Sequence, residues 1–449
     1  MVKDRRVLIL YSTAVCNLKC TYCFIDKNPA LVKIDNILHE SFQGDYYFDF
    51  AKEVFPDPEQ LTEIQIWGGE PTLNFHRISE VMKKIINHYP NIHELMFSTN
   101  LAHDNAVDEI FYLLSEINKC SREITLSLQL SLDGPTYIND TNRGIGVTER
   151  FSKNFSRLIA EVDSFLSKNE YITIRAFNKS TLDIASIESL QSKEKIIKYF
   201  KFLEAYQNIA ENSKHPRFEF NATVPNTACP LPITVDLGKK FANLCKLTRE
   251  VMEENSREHY FKYYQSITPF DTGNCKDIQL CNKGCCGTGK ICVGLLPNRL
   301  ISTCHNGFTE VLSTYKQYAI ENEDRVSTLQ NAFFSDLMTN DMVFPYEKLA
   351  NYEQQIEEFY NNESKNVTMT LVGQIQLLAA AGQIDAQYKK INKAIEGALF
   401  ILSHTSYCVR DNLNTSGTKT ITPPNLIKLL LNGAKEYIEN FKDEEDKEN

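Results

Sequence analysis

The chain has 449 residues, 42% of them hydrophobic, with 58 acidic against 48 basic side chains and a net charge of −10. A chain of this length and apolar content buries a large core spread over about two or three domains, which excludes a disordered protein. The acidic balance, with no Lys/Arg stripe interleaved with aromatics, argues against nucleic acid as a partner.

Behind the charged start at residues 1–6, the first apolar run covers only 7–11 before Ser12 and Thr13 interrupt it. It is too short for a signal peptide, and no run approaches a membrane span, so the expected location is cytoplasmic, with no membrane partner. From residue 7 to about 260, strand-like runs at 7–11, 64–67, 94–98, 125–132, 171–176 and 218–224 alternate with segments of helical period at 75–88, 106–117, 152–167 and 194–211. That alternation predicts parallel β/α units. Six of them make an α/β fold, a partial (β/α)6 TIM-like barrel, whose chemistry belongs at the C-terminal ends of the strands. A further helix is expected over 236–265, with Asp236 as its N-cap.

The texture then changes. Residues 266–310 are rich in Cys and Gly with weak periodicity, so that module should owe its order to bound metal more than to an apolar core. Residues 311–449 read as mainly helical, with the strongest apolar segments at 371–381 and 388–404 and a charged tail at 442–449 that suits a solvated end. The expected domains are therefore 1–265, 266–310 and 311–449.

Thirteen cysteines in a cytoplasmic chain point to metal or cluster ligation rather than a disulfide framework. Cys16, Cys20 and Cys23 stand at CxxxCxxC spacing directly after the first strand candidate, so one tight loop can present three thiolates to one inorganic cluster. An iron–sulfur cluster of the cubane type normally takes four Cys ligands, so three leave one iron open. A zinc site or chance clustering are the alternatives; zinc would want a fourth Cys or His at short spacing, and the next Cys is Cys120. At the end of the second strand candidate, Gly68-Gly69-Glu70-Pro71 pairs two glycines, which permit close backbone approach, with a carboxylate suited to an ammonium group. Alone, it reads as a turn before a helix. The segment Ser131-Leu132-Asp133-Gly134-Pro135 reads as a turn, and Arg143 as a surface ion pair. A third group, Cys275, Cys281, Cys285, Cys286, Cys292 and Cys304, followed by His305, suits either a second cluster or a zinc knuckle.

Taken together, the cysteine loop with Tyr22 before its third Cys, the Gly68-Gly69-Glu70-Pro71 motif, Ser98-Thr99-Asn100 at the third strand end, and Ser131-Leu132-Asp133-Gly134-Pro135 with Asn139-Asp140 and Arg143 resemble the radical S-adenosylmethionine (SAM) superfamily. Within it they resemble the SPASM/twitch-type branch that holds anaerobic sulfatase-maturating enzymes and peptide-modifying maturases. The resemblance covers roughly residues 1–310. It implies a 4Fe–4S cluster on Cys16, Cys20 and Cys23 that binds SAM at its open iron and, on receiving one electron, cleaves it to methionine and a 5′-deoxyadenosyl radical that abstracts a substrate hydrogen. Tyr22, Gly68, Gly69, Glu70, Pro71, Ser131 and Arg143 are the implied SAM-binding residues. Cys286-Gly287-Thr288-Gly289 and Cys304-His305 are similar to part of a SPASM or twitch module, which implies at least one auxiliary 4Fe–4S cluster drawn from Cys275, Cys281, Cys285, Cys286, Cys292 and Cys304. Cys408 stands apart as a buried thiol, a further ligand or an active-site residue.

The implied activity is an oxidoreductase-type maturase of a peptide or protein, served by a flavodoxin- or ferredoxin-type electron donor. No peptide-binding domain is expected ahead of the first strand, so leader recognition would fall to a separate leader-peptide-binding protein or to the C-terminal region. The competing readings are a small-molecule radical SAM oxidoreductase and a non-catalytic iron–sulfur or zinc scaffold.

Overall fold

Strand β1, Val7–Thr13, is buried at every position, which is the signature of a parallel strand covered on both faces. The computed structural model describes residues 6–23, 35, 39–40, 42–181, 184–222, scattered positions between 240 and 254, 292–297, 299–302 and 343–346. The predicted helix at 236–265 is helical at the positions described there, while the expected C-terminal helices at 371–381 and 388–404 lie outside the described residues.

The strands that follow alternate instead. In β2 (Glu63–Gly68) Ile64 and Ile66 are buried while Glu63, Gln65 and Trp67 are not, and β3 (Glu94–Thr99), β4 (Ile124–Ser131) and β5 (Ile172–Lys179) largely repeat the pattern. The buried set shares one apolar cluster with the helices: α1 (Tyr46–Val54), α2 (Phe75–His88), α3 (Ala106–Asn118), α5 (Val147–Lys168) and α7 (Lys193–Ala210). Two shorter helices, α4 (Thr136–Arg143) and α6 (Ile184–Ser189), follow β4 and β5. Helix α2 shows why these segments are helical. Its buried residues Phe75, Ile78, Val81, Met82, Ile85 and Ile86 recur at three- and four-residue steps, one apolar stripe of a 3.6-residue period, and each such side chain contributes roughly 1.5–3 kcal/mol on burial. Ser192 starts α7 by accepting the Lys195 N–H at its side chain, satisfying one of the orphan donors of the first turn.

With β6 at Phe218–Asn221, β7 at Cys292–Leu295, β8 at Leu300–Ser302 and β9 at Val343–Pro345, the sheet runs β6-β5-β4-β3-β2-β1-β7-β8-β9. Strands β1 to β6 (Phe218–Asn221) are parallel in sequential order. The expected parallel α/β barrel architecture is therefore present. Several bounds move: β4 ends at Ser131, β6 stops at Asn221, and α5 begins at Val147 because Thr148 and Gly146 N–H groups bond the Asp140 carboxylate and anchor the helix start.

Part of the Cys-rich stretch behaves unlike its composition. Residues Cys292–Leu295 form β7, parallel to β1, with Val7 opposite Cys292 and Leu10 opposite Leu295. The antiparallel β8 (Leu300–Ser302) and β9 (Val343–Pro345) complete this side. Tyr11 Oη lies 2.6 Å from Ser302 Oγ, and the Arg299 guanidinium pairs with Glu53 of α1. Strand β1 is thus flanked on both sides, and everything that follows its C-terminal end is held by an interior strand.

Candidate active site at the strand ends

The loop after β1 is tied down mainly by main-chain groups. Gly69 N–H donates to the Thr13 carbonyl at 2.9 Å and Glu70 N–H to the Val15 carbonyl at 2.8 Å. A Cβ on Gly69 would overlap the Val15 carbonyl and stand 2.9 Å from Cys16 N, and one on Gly68 would stand 3.2 Å from Thr13 N. The two glycines are therefore needed so that the β2 loop can lie against the cysteine loop, a different reason from the ligand approach that their pairing suggested. Asp35 completes the anchoring: its carboxylate accepts from Thr13 Oγ1 and, at 3.0 Å, from Ala14 N, and its other oxygen takes Arg77 at 2.7 Å.

Glu70 is buried, with a relative exposure of 1%. One oxygen accepts the Thr72 hydroxyl at 2.6 Å and the Thr72 N–H at 3.3 Å, while the other accepts Asn100 N–H at 2.7 Å. Asn100 in turn reaches the cysteine loop, with Nδ2 at 2.8 Å from Asn17 Oδ1 and 3.8 Å from Cys16 Sγ. The chain turns back at Leu101, whose φ of 49° is unusual outside glycine. Thr99 Oγ1 and Asn154 hold that turn by bonding its N–H and carbonyl at 3.0 Å each. The ends of β1, β2 and β3 are thus one hydrogen-bonded unit.

On the other side of the loop stands a buried ion pair. Arg143 places Nε 3.0 Å from Asp133 Oδ2 and Nη2 2.8 Å from Oδ1, with side-chain exposures of 7% and 0%. Asp133 also accepts Tyr22 Oη at 2.8 Å and Thr181 N–H at 2.8 Å, and the Tyr22 ring lies under the guanidinium at 5.6 Å. Thr21 N–H donates to the Asn142 carbonyl at 2.8 Å. The surface ion pair read for Arg143 is corrected to a buried, bidentate one, because the residues 133–143 segment folds into α4 and swings Arg143 back over the cysteine loop. The turn read at Asp133-Gly134-Pro135 leads into that helix.

Residues 10–183 match the family model described as Radical SAM superfamily. The chain carries a radical SAM domain. No curated protein matches the chain. Among solved structures, a mutant of the Thermobaculum terrenum O-GlcNAc hydrolase aligns over 91% of this chain and 94% of its own at 10% identity, but its TM-score of 0.22 is too low to carry an argument.

A radical SAM domain implies a 4Fe–4S cluster and SAM, and the donor set fits. Cys16, Cys20 and Cys23 are half-buried thiols on the one loop, none of them in a disulfide. Among the described residues no three His, Cys, Asp or Glu side chains converge on a single ion; a cubane asks instead for one sulfur per iron. Burial, with the Glu70 carboxylate second, pushes the Cys16 thiol up to about 12. Burial likewise raises Cys20 to about 11, against the Arg143 guanidinium, which lowers it. Metal must displace these protons, so cluster loading is expected to release acid.

The radical SAM domain brings together Cys16, Cys20, Cys23, Tyr22, Gly68, Gly69, Glu70, Pro71 and Arg143. Ser131, the last residue of β4, lies at the same end and pairs in register with Lys179. Cys292 does not join them: it is buried at the start of β7, level with Val7, about 20 Å down β1 from the loop at the usual rise per residue. Cys275, Cys281, Cys285, Cys286, Cys304 and Cys408 lie outside the described residues. Sequence reasoning missed Asp35, for which no local signal exists. It also left Asn100 off the site although its motif was noticed.

Glu70→Gln makes a sharp test of this corner. The amide can keep one oxygen toward Thr72 but then points an NH2 at the Asn100 N–H, donor against donor, and it loses the negative charge. SAM affinity measured on the cluster-loaded variant is expected to fall by roughly tenfold or more, the worth of one charge-assisted bond, with iron content retained. Unchanged affinity would show that Glu70 only braces β3.

Proposed function

We propose that this radical SAM enzyme modifies a peptide or protein, in the manner of a maturase, with an auxiliary 4Fe–4S cluster in the Cys-rich stretch. When bound, the cluster and SAM supply the 5′-deoxyadenosyl radical that takes a substrate hydrogen. The chain's own part is to hold the cysteine loop, exclude water from it and orient the substrate.

The observation that carries the peptide reading is the segment from Ser131 to Arg143. The support is its likeness to the peptide-modifying branch; in the fold its Asp133 fastens Tyr22 of the cysteine loop. The inner face of the barrel supports the reading. Level by level across the sheet it presents Gln65, Met96, Ser127, Arg175 and Glu219, then Ser98, Gln129, Phe177 and Asn221. Such hydroxyls and amides suit the carbonyls and N–H groups of an extended peptide. Of the cysteines read into that module, Cys292 stands on β7 beside β1. Among the described residues no helix is long and apolar enough to cross a membrane. A cytoplasmic enzyme with a flavodoxin- or ferredoxin-type donor, and with a separate leader-binding protein if the substrate carries a leader, completes the reading.

The test is anaerobic reconstitution with SAM and reduced flavodoxin, offered in parallel short peptides encoded beside this gene and a set of sugars and amino acids. A peptide should raise 5′-deoxyadenosine above the uncoupled level and change in mass by the same number of equivalents. Coupling to a sugar or amino acid alone would establish the small-molecule reading instead.

A further inference from the structure

The turn between β3 and α3 grips Glu70 at both of its carboxylate oxygens. The direct arm is the Asn100 N–H, 2.7 Å from Oε2. The second arm runs through the buried Thr72, whose hydroxyl stands 2.6 Å from Glu70 Oε1 on one side and 2.7 Å from His103 Nε2 on the other. Asn154 of α5 fixes the turn that carries both arms, with Nδ2 3.0 Å from the Leu101 carbonyl and 2.8 Å from the His103 carbonyl.

The direction of each bond follows from counting hydrogens. A threonine hydroxyl has one to give, and Thr72 gives it to Glu70 Oε1, so toward His103 the same hydroxyl can only accept. Nε2 therefore carries a hydrogen, in the neutral ring and in the charged ring alike, and the chain of donors runs from His103 to Thr72 to Glu70. Bonds in such a chain polarise one another, and a hydroxyl with both roles filled is held in one rotation. On the carboxylate, Oε1 has both lone pairs taken, by the Thr72 hydroxyl and by the Thr72 N–H at 3.3 Å. Oε2 has one taken, by Asn100. Among the described residues, a single lone pair of Glu70 thus stays open to a further donor.

We propose that His103 is a positioning residue of the SAM site: through the Thr72 hydroxyl it fixes the Glu70 carboxylate and keeps that one open lone pair for the ammonium group of SAM. The inference rests on reading Glu70 as the acceptor of that group. His103 touches neither SAM nor the cluster, and its effect on binding passes through Thr72 alone. No local signal marks it, since the bond joins residues 31 positions apart.

The experiment uses the full, cluster-loaded chain and measures the SAM affinity of His103→Leu, His103→Gln, Thr72→Val, the double variant of His103→Leu with Thr72→Val, and Glu70→Gln. Urea unfolding of the iron-free chains is followed in parallel. His103→Leu removes the donor and should weaken SAM by roughly three- to tenfold, the range of one neutral hydrogen bond, with iron content unchanged. His103→Gln can set an amide N–H near the place of Nε2 and should restore most of that loss. Thr72→Val cuts the chain at its middle and should cost at least as much as His103→Leu. The double variant should cost no more than Thr72→Val alone, because without the hydroxyl His103 has nothing to act through. The proposal is overturned if His103→Leu binds SAM as the wild type does, if Gln is no better than Leu, or if the losses of the double variant multiply as for independent sites. Lost stability with full SAM affinity would assign His103 to packing. An unchanged affinity in Glu70→Gln would instead sink the ammonium reading of Glu70, a different result, and would leave Thr72 and His103 as braces of β3.

Discussion

Replacing Cys16, Cys20 and Cys23 together by Ala should remove about four irons per chain, the content of one cubane cluster, and abolish 5′-deoxyadenosine formation. The fold should survive. The loop is held chiefly by the main-chain bonds from Gly69 and Glu70 and the bond from Thr21 to the Asn142 carbonyl, none of which involves sulfur, while the Cys16 Sγ contacts with Leu18 N–H and Asn100 Nδ2 that the variant forgoes are long, so circular dichroism of the iron-free protein should match the wild type. Reductive cleavage of SAM persisting in the triple variant would falsify the assignment of this loop. The same variant isolates the Cys-rich stretch. If Cys286, Cys292 and Cys304 with one further thiolate bind a single auxiliary cluster, about four irons should remain and vanish when those three are also replaced. If Cys275, Cys281 and Cys285 ligate separately, clearly more iron remains. Stoichiometric zinc without iron would make the module a zinc knuckle.

The barrel was legible because its signals are local. Period-two alternation in residues 63–68 and the three- and four-residue apolar steps of 75–88 each fix an element and its buried face without reference to the rest of the chain. The motif residues were legible for a similar reason, since each stands at a strand's end where chemistry collects. Their partners were not. Arg143 looks like a surface cation until α4 is folded, and only then does its fork meet Asp133, ten residues back. Asp35 gives no sign in the sequence that it will bond Thr13, Ala14 and Arg77. The pairing of β7 with β1 joins residues some 285 positions apart, and a run of four residues that includes a cysteine and a glycine is too short, in a Cys- and Gly-rich stretch, to carry a local mark of a strand.

Asp133 and Arg143 give the sharpest test of how the loop is held, because the two halves of the pair should not be equally costly to remove. Arg143→Met leaves the Asp133 carboxylate with three donors, the Tyr22 hydroxyl, the Thr181 N–H and, at 3.4 Å, the Asn142 amide. Asp133→Ala leaves a buried guanidinium with, among the described residues, only the Tyr22 ring and removes the carboxylate that Tyr22 Oη and Thr181 N–H donate to at the same time. Breaking a buried pair by removing one partner typically costs about 3–5 kcal/mol, so Asp133→Ala should fall at the upper end of that range and Arg143→Met at or below the lower. The double variant should cost less than the sum, since it leaves no uncompensated charge. Urea unfolding of the iron-free chain measures all three. Asp133→Ala should also lose iron on gel filtration, because Tyr22 between Cys20 and Cys23 is no longer fastened. Were Arg143→Met the costlier change, the asymmetry argued here would be wrong, and were it neutral for stability while SAM affinity collapsed, the guanidinium would have to be reassigned from positioning the loop to binding SAM.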